Sequence, residues 1–193
     1  MSKLTNTRSG ARSGQLEFEL SSLISLFQYR NVRTYLEVGA RYGDTFYDVM
    51  MSLPKGSRGV CVDLPGDVWG NAKSQPHLES ACDELREQGY DITLIIGNST
   101  DQTIVDAVKA LGPYDAALID GDHRYKGVKT DYRNYGPMCS MVAFHDIVGY
   151  GQRHAASVNV EVPRFWAEVR EGQRVQEFVE PGSKMGIGVI CRT

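Results

Sequence analysis

Apolar residues recur along this chain in two alternating rhythms. Over residues 15–30, Leu16, Leu20, Leu23, Ile24 and Phe27 repeat at helical spacing on one face, which predicts a covering helix. The run 34–38 (TYLEV) is short and β-prone and stops at Gly39-Ala-Arg-Tyr-Gly43; Asp44 or Thr45 then caps a helix carrying Phe46, Val49, Met50 and Leu53. Strand, glycine turn and helix form a first unit. The run 59–62 (GVCV) is a second strand ending at Asp63, and a loop rich in glycine and proline leads to a helix with Leu78, Ala81, Cys82 and Leu85 that stops at Gly89. A third strand, 92–96 (ITLII), ends in Gly97-Asn98-Ser99, and its helix bears Ile104, Val105, Val108 and Leu111 before Gly112-Pro113.

Two short apolar runs, 116–119 and 141–144, supply fourth and fifth strands, joined by a helix over about 125–135 that Gly136-Pro137 terminates. Five β-α units predict an α/β fold with a doubly wound parallel sheet. Pro163 opens a short helix, and the runs 174–179 and 185–191 flank Pro181-Gly182 as an antiparallel hairpin. There is no internal repeat or linker, so the expected organisation is a flexible tail over 1–14 and a single domain over 15–193.

Strands four and five each end abruptly in acid and imidazole: Asp120, Asp122 and His123 after one, His145 and Asp146 after the other. In an open parallel sheet the carboxyl ends of strands face the ligand crevice, so neighbouring strands would bring these groups to one mouth. The glycine turn narrows the ligand by what it lacks. Arg41 stands where the second glycine of GxGxxG lets backbone meet a pyrophosphate, and no Gly-Lys-Ser/Thr ending makes a P-loop. Asp63, at the end of the second strand, sits where an acid accepts hydrogen bonds from ribose hydroxyls. Adenosine without a diphosphate points to S-adenosylmethionine.

The 193 residues suit one domain with a real core. A net charge of −3 gives no electrostatic case for nucleic acid or an anionic membrane, which leaves a small molecule as the expected partner. The N-terminus holds no apolar span, and the four widely spaced cysteines, with no CxxC pair, read as reduced thiols in a cytoplasmic setting.

Glu37-x-Gly39-x-x-x-Gly43, Asp63, Gly97-Asn98-Ser99, Ile119-Asp-Gly-Asp-His123 and Phe144-His-Asp146 together resemble the class I S-adenosylmethionine-dependent methyltransferases. The resemblance is closest to the small-molecule subgroup of macrocin-type sugar O-methyltransferases and cephalosporin-hydroxylase-like proteins, and it covers the chain from about residue 35. It implies a Rossmann-like, seven-stranded sheet, mostly parallel with an antiparallel last strand. It implies that Glu37 and Gly39 shape the pocket for the amino acid part of the cofactor, that Gly43 allows close helix approach, that Asp63 holds the ribose, and that Asn98 and Ser99 lie near adenine, with Asp120 also at the cofactor. Asp120 and Asp146 match positions that hold a divalent cation such as Mg²⁺ in metal-dependent members; His145 stands where some of those carry a second acid and is a third candidate ligand.

An acceptor alcohol is a poor nucleophile while it keeps its proton, so a base or a metal must lower that barrier. His123, Asp122 and His145 are the candidate bases, with His123 favoured and Asp122 also suited to capping the next helix. The expected function is O-methylation of a hydroxyl on a sugar or other small metabolite. A metal-dependent hydrolase or oxygenase using Asp120, His123, His145 and Asp146 is one alternative, a non-catalytic binding protein on the same fold another, and an NAD-dependent enzyme a more distant one. Trp69 either stacks in the pocket or packs on the sheet edge, while His77 and His154 fall in loop-like stretches. The loop 147–162 has the length of a lid over the acceptor. Acceptor identity and oligomeric state, a homo-oligomer included, are not encoded in any motif.

Overall fold

In the computed structural model, residues 14–66, 69, 73–149 and 159–192 are described. They form α1 (Glu17–Tyr29), β1 (Thr34–Val38), α2 (Asp44–Ser52), β2 (Arg58–Asp63), α3 (Gln75–Glu87), β3 (Asp91–Ile96), α4 (Gln102–Ala110), β4 (Tyr114–Ile119), α5 (Tyr125–Tyr135), β5 (Cys139–His145), α6 (Val162–Val169), β6 (Val175–Phe178) and β7 (Ile187–Cys191). The strands make one seven-stranded sheet in the order β3-β2-β1-β4-β5-β7-β6. β1 to β5 run parallel, and β7 pairs antiparallel with both β5 and β6. This is the Rossmann-like architecture that the alternating pattern predicts.

Helices cover both faces, which is why the inner strands are apolar on consecutive residues instead of alternating. On β4, Ala116 and Leu118 join the cluster beneath α1, α2 and α3, while Ala117 and Ile119 join the cluster beneath α4, α5 and α6. All four are buried. The chain steps outward from β1 to β3, then crosses to β4 on the other side of β1, so the order reverses between β1 and β4. At that switch point the C-terminal strand ends diverge and leave a crevice.

Local details differ from the sequence pattern in three places. α2 is capped by Gly43 in the left-handed region (φ 83°), with no side-chain cap, and Asp44 lies buried in its first turn. His77 lies on α3, not in a loop, with Tyr42 at 5.6 Å between ring centroids. Gly14, placed in the tail by composition, belongs to the wall of the crevice. His154 and most of the expected lid fall outside the described residues. No helix among the described residues is long and apolar enough to cross a membrane. All four cysteines are free and buried.

Candidate functional site

The crevice is a cavity of about 370 Å³, within the usual range of roughly 300–1,000 Å³ for small-molecule sites. Its floor is the carboxyl edge of β2, β1, β4 and β5. Each ladder runs one bond past the strand ends: Gly39 N–H donates to the Val62 carbonyl at 2.8 Å, Asp120 N–H to Val38 at 2.8 Å, and Gly97 N–H to Asp63 at 2.9 Å. Gly39 (φ 92°) cannot be replaced without strain, because a Cβ there would stand 2.3 Å from the Asp120 carbonyl oxygen and 2.6 Å from the Gly121 Cα.

One end of the cavity holds the acid and imidazole groups. β4 and β5 are neighbours, with Ile119 opposite Phe144, so Asp120, His123, His145 and Asp146 converge. His123 Nδ1 lies 2.8 Å from Asp146 Oδ2 and its Nε2 3.6 Å from Asp120 Oδ1. Trp69 packs against the His123 ring, 4.6 Å between centroids with the planes tilted by 34°, and both line the cavity. Asp146 adopts φ 60°, an uncommon conformation for a non-glycine residue that aims its carboxylate at His123.

His145 plays a different part from the one its position suggests. Its Nδ1 lies 3.1 Å from Asp120 Oδ1 and 3.6 Å from Asp146 Oδ1. Burial alone would lower its pKa; the Asp120 carboxylate, helped by Asp146 and by Glu19, overrides this and pushes it up to about 9. It is therefore an imidazolium near neutral pH, a fixed counter-charge and not a base. Asp122 is equally unsuited to accept a proton. Its carboxylate receives Trp69 Nε1 at 2.9 Å, the Arg124 backbone N–H at 3.0 Å and Arg124 Nη2 at 2.6 Å. Burial would raise its pKa, but these bonds prevail and hold it below the usual carboxylate range. Asp122 closes a turn before α5 and packs so tightly that a Cβ on Gly127 would meet it at 2.3 Å.

At the other end, Asp63 is buried and lines the cavity, its Oδ1 accepting the Arg41 backbone N–H at 2.8 Å. Arg41 reaches this bond with φ 50°. Asn98 lines the wall, but its Oδ1 accepts from Thr100 N and Oγ1, a turn-forming use of the side chain. Ser99 lines the wall beside it and donates to Asp131 Oδ1 at 2.7 Å.

Two sequence candidates stand behind the cavity and not in it. Glu37 is 1% exposed and accepts a hydrogen bond from Tyr35 Oη at 2.6 Å. Burial raises both pKa values, and in the folded chain the partner of this carboxyl is the Tyr35 phenol. Of the acids that the resemblance places at the cofactor or a cation, Asp63, Asp120 and Asp146 line the cavity and Glu37 does not. Gly43 serves helix packing, since a Cβ there would stand 2.9 Å from the Ala81 Cβ on α3.

The sequence pattern overlooked Gln15, Glu19 and Asp131. Gln15 Nε2 donates to Asp120 Oδ2 at 2.8 Å from the start of α1. Glu19 is fully buried and accepts the backbone N–H groups of Glu180 (3.1 Å) and Gly186 (3.0 Å), fastening the β6–β7 connection over the site. Both acids carried a signal: Glu19 falls within the apolar stripe of α1 and Asp131 within that of α5, where a charge needs a partner.

A divalent cation does not fit the side chains as they stand. Among the described residues, no group of three or more His, Cys, Asp or Glu is arranged to hold a metal ion. Asp120 Oδ1 lies against His145 Nδ1 and its Oδ2 accepts from Gln15, while Asp146 Oδ2 lies against His123 Nδ1.

Solved structures share this fold at low identity. The O-methyltransferase from Bacillus cereus, in complex with S-adenosylhomocysteine, is 14% identical with a TM-score of 0.69, covering 95% of this chain and 85% of that one. The O-methyltransferase TomG from Streptomyces achromogenes, involved in tomaymycin synthesis and in complex with S-adenosylmethionine, is 16% identical with a TM-score of 0.67, covering 92% and 81%. The methyltransferase domain of bacterial CtHen1 is 16% identical with a TM-score of 0.59, covering 89% and 96%. No curated protein matches the chain. The family model described as a methyltransferase domain matches residues 36–147, from inside β1 to just past Asp146. That span takes in both ends of the cavity and every strand end on its floor, and the chain belongs to the methyltransferase-domain family.

Proposed function

We propose that this protein is an S-adenosylmethionine-dependent O-methyltransferase acting on a hydroxyl of a sugar or other small metabolite, with His123 as general base. The observation that carries this reading is the His123–Asp146 pair at one end of a cavity whose other end presents Asp63 and the glycine turn. Bound S-adenosylmethionine supplies a methyl group already activated by its sulfonium. Asp63 offers carboxylate oxygens suited to ribose hydroxyls, and the turn at Gly39 keeps side chains out of the space between strand ends.

Asp146 fixes the imidazole of His123 with Nδ1–H donating to the carboxylate, so Nε2 carries the lone pair and takes the acceptor proton as the new C–O bond forms. Trp69 holds the ring plane from one side. His145, charged, balances Asp120 without competing for that proton. These groups move the proton by themselves, and no step is assigned to a metal. The acidic balance of the chain supports a small acceptor over nucleic acid.

Calorimetric titration with S-adenosylmethionine tests the cofactor and the metal together. Binding at micromolar affinity is expected with or without Mg²⁺, and Asp63→Ala weakens it at least tenfold. Unchanged affinity in Asp63→Ala, or binding only when Mg²⁺ is present, refutes the corresponding part.

A further inference from the structure

Behind the cavity wall lies a carboxyl that the mechanism does not use. Asp131, on α5, is 0% exposed. Its Oδ1 accepts the Ser99 hydroxyl at 2.7 Å, and its Oδ2 has no hydrogen-bond partner among the described residues. Oδ2 sits directly behind the wall, 3.6 Å from where a Cβ on the cavity-lining Gly121 would be. Ser99 is pinned a second time, its carbonyl accepting from Tyr135 Oη. The wall residue is therefore fixed in place, and the direction of its hydroxyl proton depends on Asp131.

We propose that Asp131 sets the hydrogen-bond polarity of Ser99: ionised, it draws the Ser99 proton inward and leaves an acceptor facing the cavity, which selects a ligand edge that donates, such as the exocyclic amine of adenine. This rests on the cofactor reading above and extends it. A protonated Asp131 would itself donate to Ser99, turning the hydroxyl outward as a donor and favouring a ring that carries a carbonyl. Burial raises the Asp131 pKa to about 7, so both forms are accessible near neutrality. The titratable groups acting on it are Asp122, from the loop before α5, and Tyr135, one turn further along α5. The other helices against α5 contribute Val105, Val108 and Phe165 to the same apolar cluster.

Calorimetry from pH 6 to pH 8 with S-adenosylhomocysteine and with S-inosylhomocysteine, which has a ring carbonyl in place of the amine, separates the outcomes. S-adenosylhomocysteine should bind about tenfold more tightly at pH 8 than at pH 6, with proton release near pH 7 that buffers of different ionisation heat reveal. The inosine analogue should show the opposite slope. Asp131→Asn should flatten both profiles and abolish the proton release, and Ser99→Ala should do the same from the wall side. Equal slopes for both ligands, or a slope kept in either variant, overturns the assignment. Binding of neither ligand at any pH overturns the cofactor reading, and this inference with it.

Discussion

His123 and His145 are both imidazoles beside aspartates at one end of one cavity, yet their surroundings give them opposite duties. His123 keeps Nδ1 on Asp146, and its other nitrogen is not closer than 3.6 Å to Asp120. His123→Asn should lower kcat by about 10²–10⁴-fold while leaving S-adenosylhomocysteine binding within about threefold, as steady-state kinetics and calorimetry would show. His145 is held by the Asp120 carboxylate, and its folded pKa of about 9 exceeds the unfolded value near 6.5. The fold thus retains a proton that the unfolded chain releases. The resulting stability, roughly 3 kcal/mol, is fully present below about pH 6.5 and is lost as pH rises through about 9. Denaturant melts from pH 6 to 10 should show that decline in the wild type and not in His145→Gln, which starts less stable because Asp120 loses its buried partner.

At the scale of elements, the site depends on how closely β1 and β4 approach. Gly39 is the point of contact, and Gly39→Ala places a methyl within 2.3 Å of the Asp120 carbonyl oxygen in addition to an unfavourable φ of 92°. Losses of about 2–4 kcal/mol in urea unfolding are expected, along with weakened cofactor binding, because the strand ends must part. Gly56→Ala, also at positive φ (78°) but with open space around it, should cost less. The helices and strands themselves were readable from periodicity, since a strand buried on both faces needs consecutive apolar residues and a covering helix needs a stripe. Their caps were less so. Asp44 looked like a cap from sequence alone, but the glycine before it already supplies the turn, which frees Asp44 to lie along the cavity wall.

Over the whole molecule, Glu19 joins the first helix to the last hairpin. A buried carboxylate that accepts two backbone N–H groups 161 and 167 residues away is a long-range fastening. Glu19→Ala should destabilise by about 3–5 kcal/mol and loosen the β6–β7 connection, which amide hydrogen exchange at Gly186 would detect; unchanged protection there counts against this role. The sequence by itself determined the fold class, the order of elements and the strand ends that carry chemistry, because periodicity and turn residues are local properties and a parallel sheet collects its strand ends on one edge. Tertiary structure alone decided which of those residues face the cavity and in what protonation state. Glu37 lies next to the last residue of β1 and Asp63 ends β2, yet one is hydrogen-bonded to Tyr35 and the other lines the cavity. Asp122 and His145 look like bases until Arg124 and Asp120 are beside them. Arg124 is two residues from Asp122, but Trp69 is 53 residues from it and Asp120 is 25 from His145, and no local pattern records contacts of that separation.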